Sequence, residues 1–280
     1  MSISEVHVLN AKIRALKSKF VKEEEFSELL SAKSAEDVAQ RFFPDIFQQT
    51  GENHYYNEFE LRLYRDALKI FKLLVKYSDR IKPLTIALIQ QYEIANLKKV
   101  VKGIIYPRYK INIKFHDITP YSSFNPRDAL KCSDIGELNT FLSNTRYNDI
   151  IKKDSGQNTA FLIENRLDIF HYNELMKISS QFLGTSGSTL LEFLRKEINL
   201  INIGWALRLK MYYNLPYKEL KDYIVSFPGY QFNEKEYEGM FDAKFEDEIL
   251  SAIPRGTRIK IENIYEETFN KKLDYDDATF

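Results

Sequence analysis

Four histidines and a single cysteine are the residues of this 280-residue chain best suited to bind a metal or to act as a nucleophile. The histidines, His7, His54, His116 and His171, are far apart, and none has a second histidine four positions along the same predicted helix, as a helical zinc site requires. Cys132 has no neighbour at a ligand spacing, although a Cys-His pair needs only proximity in space. We therefore predict no metal site, no cofactor and no catalytic residue, and we interpret the histidines as surface residues or neighbours of tyrosines.

The segment GTSGST (184–189) is the part of the sequence most similar to a phosphate-binding loop. Such a loop has four residues between its glycines and a lysine after the second, whereas here two residues intervene and a serine follows. We interpret the segment as a turn between two helices, with Ser188 or Thr189 capping the second. Neither a nucleophile-elbow serine nor a dinucleotide fingerprint occurs. The sequence therefore predicts no enzyme and no small-molecule substrate.

The overall composition argues against several other classes of protein. The 40 basic and 40 acidic side chains give zero net charge, whereas nucleic-acid-binding proteins normally have a cationic surplus. The 20 phenylalanines and 18 tyrosines fall mostly at helical spacings, which is typical of a core rather than of base stacking. No apolar run reaches the ~18 residues that span a membrane, and the amphipathic N-terminus differs from a signal peptide. Because one cysteine cannot form an internal disulfide, we expect a reducing compartment.

Two predicted helices carry polar residues on faces that otherwise look buried. YEIANLKKVVKG (92–103) places Glu93 and Asn96 three residues apart, and EINLINIGWALRLK (197–210) does the same with Asn199 and Asn202. Asparagine is a poor helix-interior residue, because its amide competes for backbone hydrogen bonds. We predict that these four side chains bond to neighbouring helices or loops and hold the bundle geometry. The alternative, that the asparagines are exposed helix positions, stays open.

The remaining pattern is that of an all-α protein. Glycine (10) and proline (8) are scarce, and long amphipathic runs predict the helices. The main predicted helices are 6–20, 34–43, 55–77, 83–103, 157–183 and 187–213, with shorter ones at 216–226, 233–251 and 259–270. Ser34 and Asn125 are predicted N-caps, and Gly103 a helix stop. YKINIKF alternates apolar and polar residues, which predicts a short strand or extended connection near 109–115.

Weak internal repetition indicates duplicated helical units. The two asparagine-bearing helices align on Asn96 and Asn202, and each is followed by an irregular stretch with aromatic residues and a proline. Repeated units of this kind bury their faces against each other. We predict two to three similar bundles: residues 1–80, which the C-terminus is able to complete, residues 81–153, and residues 154–280 with the C-terminal tail.

Several motifs resemble those of one family, in the right order, over most of residues 5–235. They are NAKIRALKSKF, FSELLSAKSAEDV, YEIANLKKVVKG, ENRLDIFHYNEL and NLINIGWALRLK. The matching positions are Lys12, Arg14, Glu93, Asn96, Leu97, Lys98, Leu167, Asp168, Tyr172, Asn202, Ile203, Leu207, Arg208 and Lys210. Together they resemble the central-stalk C/d family of V-type ATPases and A-type ATP synthases, whose members are named C in prokaryotes and d in eukaryotes. Asn199 stands where this family usually has an acid.

The resemblance implies a funnel-like, non-catalytic rotor protein. Such a protein is a socket that links the central-shaft subunits to the membrane rotor ring, on the cytoplasmic face and peripheral to the membrane. It would transmit torque for ATP-coupled transport of H⁺ or Na⁺. We predict partner contacts at four basic residues beside apolar stripes, Arg14, Lys17, Lys98 and Arg208. They would face an acidic surface on the shaft or anionic headgroups beside the ring, although ordinary solvated helix faces explain them equally well. The alternative function is a freestanding all-α adaptor or scaffold unrelated to rotary ATPases.

Overall fold

The computed structural model describes residues 3–18, 22, 25, 28, 30–42, 44, 55–77, 79–151, 159–182, 184–212, 216–226, 238, 241 and 242. All regular secondary structure in these ranges is helical, which confirms the all-α class for this part of the chain. The α-helices are α1 (Ile3–Lys17), α2 (Ala35–Phe42), α3 (Tyr55–Leu74), α4 (Lys82–Ile105), α5 (Pro126–Ala129), α6 (Ile135–Phe141), α7 (Thr159–Ser179) and α8 (Gly184–Tyr212). Two 3₁₀-helices, Pro107–Asn112 and Tyr217–Asp222, are also described, and single helical residues such as Leu30 and Phe241 lie outside these elements. The helices predicted at 233–251 and 259–270 lie almost entirely outside the described residues.

The chain divides into two compact units, Met1–Ile163 and Glu164–Phe280, which we call unit 1 and unit 2. In unit 1, α3 and α4 pack together around Leu68, Ile89 and Ile118. Helix α4 is buried over most of its circumference, as is typical of a helix at the centre of a core. In unit 2 the most deeply buried apolar side chains include Leu167, Ile198, Leu209, Leu220 and Val225. The predicted division into three bundles and a funnel stays a prediction.

Local capping patterns in the sequence correctly predicted two helix starts. Before α2, the Asp37 backbone N–H donates to Ser34 Oγ at 3.1 Å. Before α5, the Arg127 N–H donates to Asn125 Oδ1 at 2.9 Å. In both cases a short polar side chain satisfies an N–H group that has no partner within its helix.

Of the two alternatives predicted near 109–115, the short strand is wrong, and a connection without regular structure begins only at Ile113. Residues Pro107–Asn112 form a 3₁₀-helix, and residues 113–118 continue as an irregular segment without a neighbouring strand among the described residues. Side chains from helices supply the hydrogen bonds that a strand would provide. Lys99 Nζ donates to the Lys114 carbonyl at 2.9 Å, and Lys72 Nζ donates to the Asp117 carbonyl at 2.9 Å. The alternation of apolar and polar residues in YKINIKF therefore reflects an irregular segment that packs one side against the helices.

Two further local predictions are wrong. GTSGST is not an interhelical turn, because α8 already begins at Gly184, whose φ of +76° suits glycine. A side chain at Gly187 would collide with the carbonyl oxygen of Phe182, so this glycine serves close backbone packing. Gly103 does not stop a helix either, since α4 continues to Ile105.

None of the helices in the described ranges combines the length and the apolar character that crossing a lipid bilayer requires. The longest, α8, has 29 residues but carries charged side chains along its length.

Two helix glycines form a matched pair for a test of this packing. A Cβ on Gly103 would lie 2.6 Å from Leu130 Cδ1 and 2.9 Å from Ile113 Cδ1, whereas a Cβ on Gly204 would have no described atom within 4 Å. Alanine is favoured over glycine inside a helix by about 0.5–1 kcal/mol. We expect Gly204→Ala to raise the free energy of unfolding by about that amount, and Gly103→Ala to lower it by ~1 kcal/mol through overpacking. Urea unfolding measures both, and equal gains would contradict the packing at Gly103.

Candidate functional site

The Asn96 side chain in α4 holds the irregular segment 113–118 through two hydrogen bonds. Its Nδ2 donates to the His116 carbonyl at 2.9 Å, and its Oδ1 accepts from the His116 backbone N–H at 2.8 Å. Asn96 is 1% exposed. A primary amide has the same donor and acceptor as a peptide group, so it pairs with the backbone as a neighbouring strand would. We call this two-bond arrangement an amide clamp.

Unit 2 contains a second amide clamp with the same two bonds. Asn202 Nδ2 in α8 donates to the Val225 carbonyl at 2.9 Å, and Asn202 Oδ1 accepts from the Val225 N–H at 2.8 Å. Asn202 and Val225 are fully buried. In both units a helix asparagine holds a residue about twenty positions further along the chain, with separations of 20 and 23 residues. This common geometry supports the alignment of the two helices on Asn96 and Asn202.

Glu93, one turn before Asn96, is the centre of a buried network in unit 1. Its Oε1 accepts from the hydroxyl groups of Ser122 at 3.0 Å and Ser123 at 2.9 Å, and from the Ser123 backbone N–H. Its Oε2 accepts from the Tyr147 hydroxyl at 2.8 Å. Burial, together with the negative charge of Glu93 nearby, holds the pKa of Tyr147 far above its usual value. The Ser122 hydroxyl has a single proton and also lies 2.5 Å from the Phe124 carbonyl, so it is a shared donor. Together with the other three donors it satisfies a carboxylate that is 1% exposed.

Unit 2 lacks a counterpart of this network at the aligned position, because Asn199 is exposed. A different asparagine, Asn165 in α7, donates from Nδ2 to the Tyr223 carbonyl at 2.8 Å, close in sequence to the clamped Val225. Asn165 is 1% exposed. Sequence reasoning passed over Asn165, although its position among apolar residues of a predicted helix is the same signal that singled out Asn96.

His116 combines the clamped backbone with a buried ring. The imidazole packs edge-on against Tyr64 and Tyr92, with ring centroids 4.8 and 5.6 Å away, and lies 3.4 Å from Lys99 Nζ. Burial, and secondly the positive charge of Lys99, lower the pKa of His116 to about 4. The ring is therefore neutral near pH 7. The tyrosine neighbours agree with the interpretation of the histidines, and His171 likewise packs against Tyr172 at 5.2 Å.

The cysteine and the remaining histidines do not form a reactive site in the described part of the chain. Cys132 is 5% exposed, and burial raises the pKa of its thiol, which disfavours the reactive thiolate. His7 is exposed on α1, and His54 lies outside the described residues. Across the described residues, no group of three or more His, Cys, Asp or Glu side chains is arranged to hold a metal ion.

The four basic residues predicted as partner contacts differ in exposure. Arg14 and Lys17 are exposed in the last turn of α1, in unit 1. Arg208 is exposed on α8 in unit 2, with its guanidinium 5.3 Å from the ring centroid of Trp205. Lys98 is half-buried in α4 and already takes part in an interaction within the chain.

The amide clamps predict a specific pattern of stability changes. Asn96→Leu and Asn202→Leu each leave a buried backbone N–H and carbonyl without partners, and we expect each to lower the free energy of unfolding by ~1–3 kcal/mol. Asn199→Leu is the matched control on α8, and we expect it to stay within about 0.5 kcal/mol of the unsubstituted chain because its position is exposed. Urea unfolding followed by circular dichroism measures all three. A loss at Asn199 equal to that at Asn202 would contradict the clamp.

The lowered pKa of His116 predicts a pH dependence. Between pH 6.5 and about 4 the unfolded chain binds a proton at this residue that the folded chain does not, so acid favours unfolding. Above pH 6.5 the lowered pKa of His116 does not reduce the free energy of unfolding. By pH 5 it has reduced the free energy of unfolding by about 2 kcal/mol. We expect His116→Phe, which retains the clamped backbone, to lose less stability than the unsubstituted chain between pH 7 and pH 5. Identical losses, measured by urea unfolding at both pH values, would show that His116 is not buried as a neutral ring.

Comparison with known proteins identifies related sequences, each of which is the C subunit of an A-type ATP synthase. The chain is 25% identical to the protein of this name from Methanosphaera stadtmanae over 258 residues, which is 87% of this chain and 64% of that protein. It is 24% identical to the protein of this name from Pyrococcus horikoshii over 249 residues, 84% of this chain and 64% of that protein. The chain therefore spans less than two thirds of the length of these curated relatives. No solved structure matches it significantly.

The strongest evidence of ancestry is a family profile that covers nearly the whole sequence. The profile describes the ATP synthase (C/AC39) subunit, and it matches residues 9–278. The motifs of the two asparagine-bearing helices lie within this range. The chain belongs to the ATP synthase (C/AC39) subunit family.

Proposed function

We propose that this chain is a non-catalytic rotor protein of an A/V-type ATPase, a socket that links the central-shaft subunits to the membrane rotor ring. In this role it transmits torque for ATP-coupled transport of H⁺ or Na⁺, and it lies on the cytoplasmic face, peripheral to the membrane through the ring. It uses no cofactor, nucleic acid or small-molecule substrate. Family membership supports this proposal, as does the similarity to proteins named as the C subunits of A-type ATP synthases.

The observation that best supports a mechanical role is the pair of amide clamps. A protein that carries torque must resist shear where a helix meets an irregular connection, since such connections are the least constrained parts of a helical protein. Each clamp joins these two elements by two buried hydrogen bonds at 2.8–2.9 Å. Separating them would leave buried polar groups without partners in an apolar interior, so each clamp resists separation. We infer that Glu93, Asn96 and Asn202 keep the shape of the socket under load.

The exposed basic residues are the proposed contacts with the partners. Arg14, Lys17 and Arg208 have charged ends accessible to another protein, and an acidic surface on the shaft or ring would complement them. Lys98 contributes less, because it is half-buried and already engaged within the chain.

Affinity purification from native membranes tests the proposal. We expect the tagged chain to recover shaft subunits and the membrane rotor ring together. Charge reversal at Arg14, Lys17 and Arg208 should lower that recovery, because three reversed contacts at roughly 0.5–1 kcal/mol each correspond to a tenfold to hundredfold loss of affinity.

The matched control reverses three exposed basic residues elsewhere, Arg80, Lys82 and Lys218, and should leave recovery unchanged. Recovery of the chain without any rotor component would overturn the socket and favour the freestanding adaptor. Equal losses in both triple variants would show that overall charge, rather than these three contacts, governs assembly.

A further inference from the structure

The end of α4 carries an exposed turn that the proposed socket function does not use. The turn consists of Tyr106, Arg108, Tyr109 and Lys110, and we call it the basic–aromatic turn. Tyr106 is 41% exposed, and both Arg108 and Lys110 are exposed. A large aromatic side chain and two cations thus point to solvent where α4 gives way to the 3₁₀-helix.

Positive charge is concentrated in this part of an otherwise neutral chain. Between Glu93 and Asp117 the sequence contains no acid and six basic residues, whereas the whole chain has zero net charge. The acids of the α5–α6 region, which contacts α4, have partners of their own. Asp128 pairs with Lys131 at 2.7 Å, Asp134 caps α6, and Glu137 accepts from Ser133.

The side chains of the turn are arranged with apolar bodies and polar ends. The rings of Tyr106 and Tyr109 pack edge to face, with centroids 5.9 Å apart, and the Arg108 guanidinium lies 5.6 Å from the centroid of the Tyr109 ring. The aliphatic stem of Lys110 passes over Gly103, so that Cγ lies 3.5 Å from the position of a Cβ there. Its side chain is nevertheless exposed. Paired tyrosines with hydroxyl ends and long cations with buried stems are typical of protein surfaces at a membrane–water boundary.

We propose that the basic–aromatic turn binds the anionic headgroups of a lipid surface directly. The two cations supply the electrostatic attraction, and the tyrosines insert between headgroups. Tyrosine and arginine also occur at protein interfaces, but lysine is depleted there. A lysine whose stem packs on the surface while its charge stays in water, as Lys110 does, is favoured at membrane interfaces, so a lipid surface fits more of the turn. This contact rests on the proposed function only for its location beside a membrane, because lipid binding by the purified chain requires neither ring nor shaft.

Vesicle sedimentation with the full purified chain tests the proposal. We expect binding to vesicles of phosphatidylcholine and phosphatidylglycerol, weaker binding at high salt, and little binding to pure phosphatidylcholine. Each basic residue near an anionic surface contributes about 1 kcal/mol, or roughly fivefold in affinity. Arg108→Gln with Lys110→Gln should therefore weaken vesicle binding about 25-fold. Adding Tyr106→Ser to this double variant should weaken vesicle binding further, at low and at high salt alike.

Matched controls lie in unit 2. Arg195→Gln with Lys218→Gln removes two exposed charges, and Phe193→Ser removes an aromatic side chain that is 63% exposed. Both should bind vesicles as the unsubstituted chain does, and circular dichroism should show that every variant is folded.

The proposal is overturned if the unsubstituted chain does not bind anionic vesicles, if it binds neutral vesicles equally well, or if the control variants lose as much binding. If vesicles are not bound but the Arg108/Lys110 variant loses rotor components in the affinity purification, the turn contacts an acidic protein instead. Vesicle binding without recovery of ring or shaft would uphold the lipid contact while rejecting the socket, so the two failures are distinguishable.

Discussion

A buried primary amide that pairs with a single backbone peptide is the interaction on which both units depend. In each unit, an irregular segment packs against a buried helix, and the described residues place no strand beside it. Its peptide groups need partners, because a buried N–H or carbonyl without one costs more than most single contacts contribute. Asn96 and Asn202 meet this need with one donor and one acceptor each. The poor helix propensity of asparagine is thereby offset.

The two units use the same clamp but surround it differently. Unit 1 adds the carboxylate of Glu93, which donors from a loop and from Tyr147 satisfy. Unit 2 has the exposed Asn199 at the aligned position and instead adds Asn165 from a separate helix. A buried carboxylate must collect several donors or remain unstable, whereas an asparagine needs fewer partners. A substitution from acid to amide at the aligned position is therefore compatible with a different set of supporting bonds.

Helix α4 links this buried polar core to the surface. Its middle carries Glu93 and Asn96, its last turns carry the glycine over which Lys110 passes, and its end leads into the basic–aromatic turn. A rigid helix keeps the turn at a defined position relative to the clamp. For a protein proposed to work between a shaft and a membrane ring, such a connection joins a stiff interior to the surface that we propose binds lipid.

The sequence by itself determined the all-α class, the family, the caps at Ser34 and Asn125, and the choice of Asn96 and Asn202 as unusual positions. The family resemblance comes from the ordered succession of motifs along the chain. The other features follow from spacings of three or four residues and from contacts within one helical turn, which are local. Only the tertiary structure decided which peptides the amides bind, since their partners lie 20 and 23 residues away. Only the tertiary structure showed that side-chain hydrogen bonds, rather than a neighbouring strand, hold the segment 113–118. It also showed that Gly103 lies inside α4, where it allows close packing, and does not end the helix. Those outcomes depend on which surfaces meet, and sequence periodicity contains no information about that.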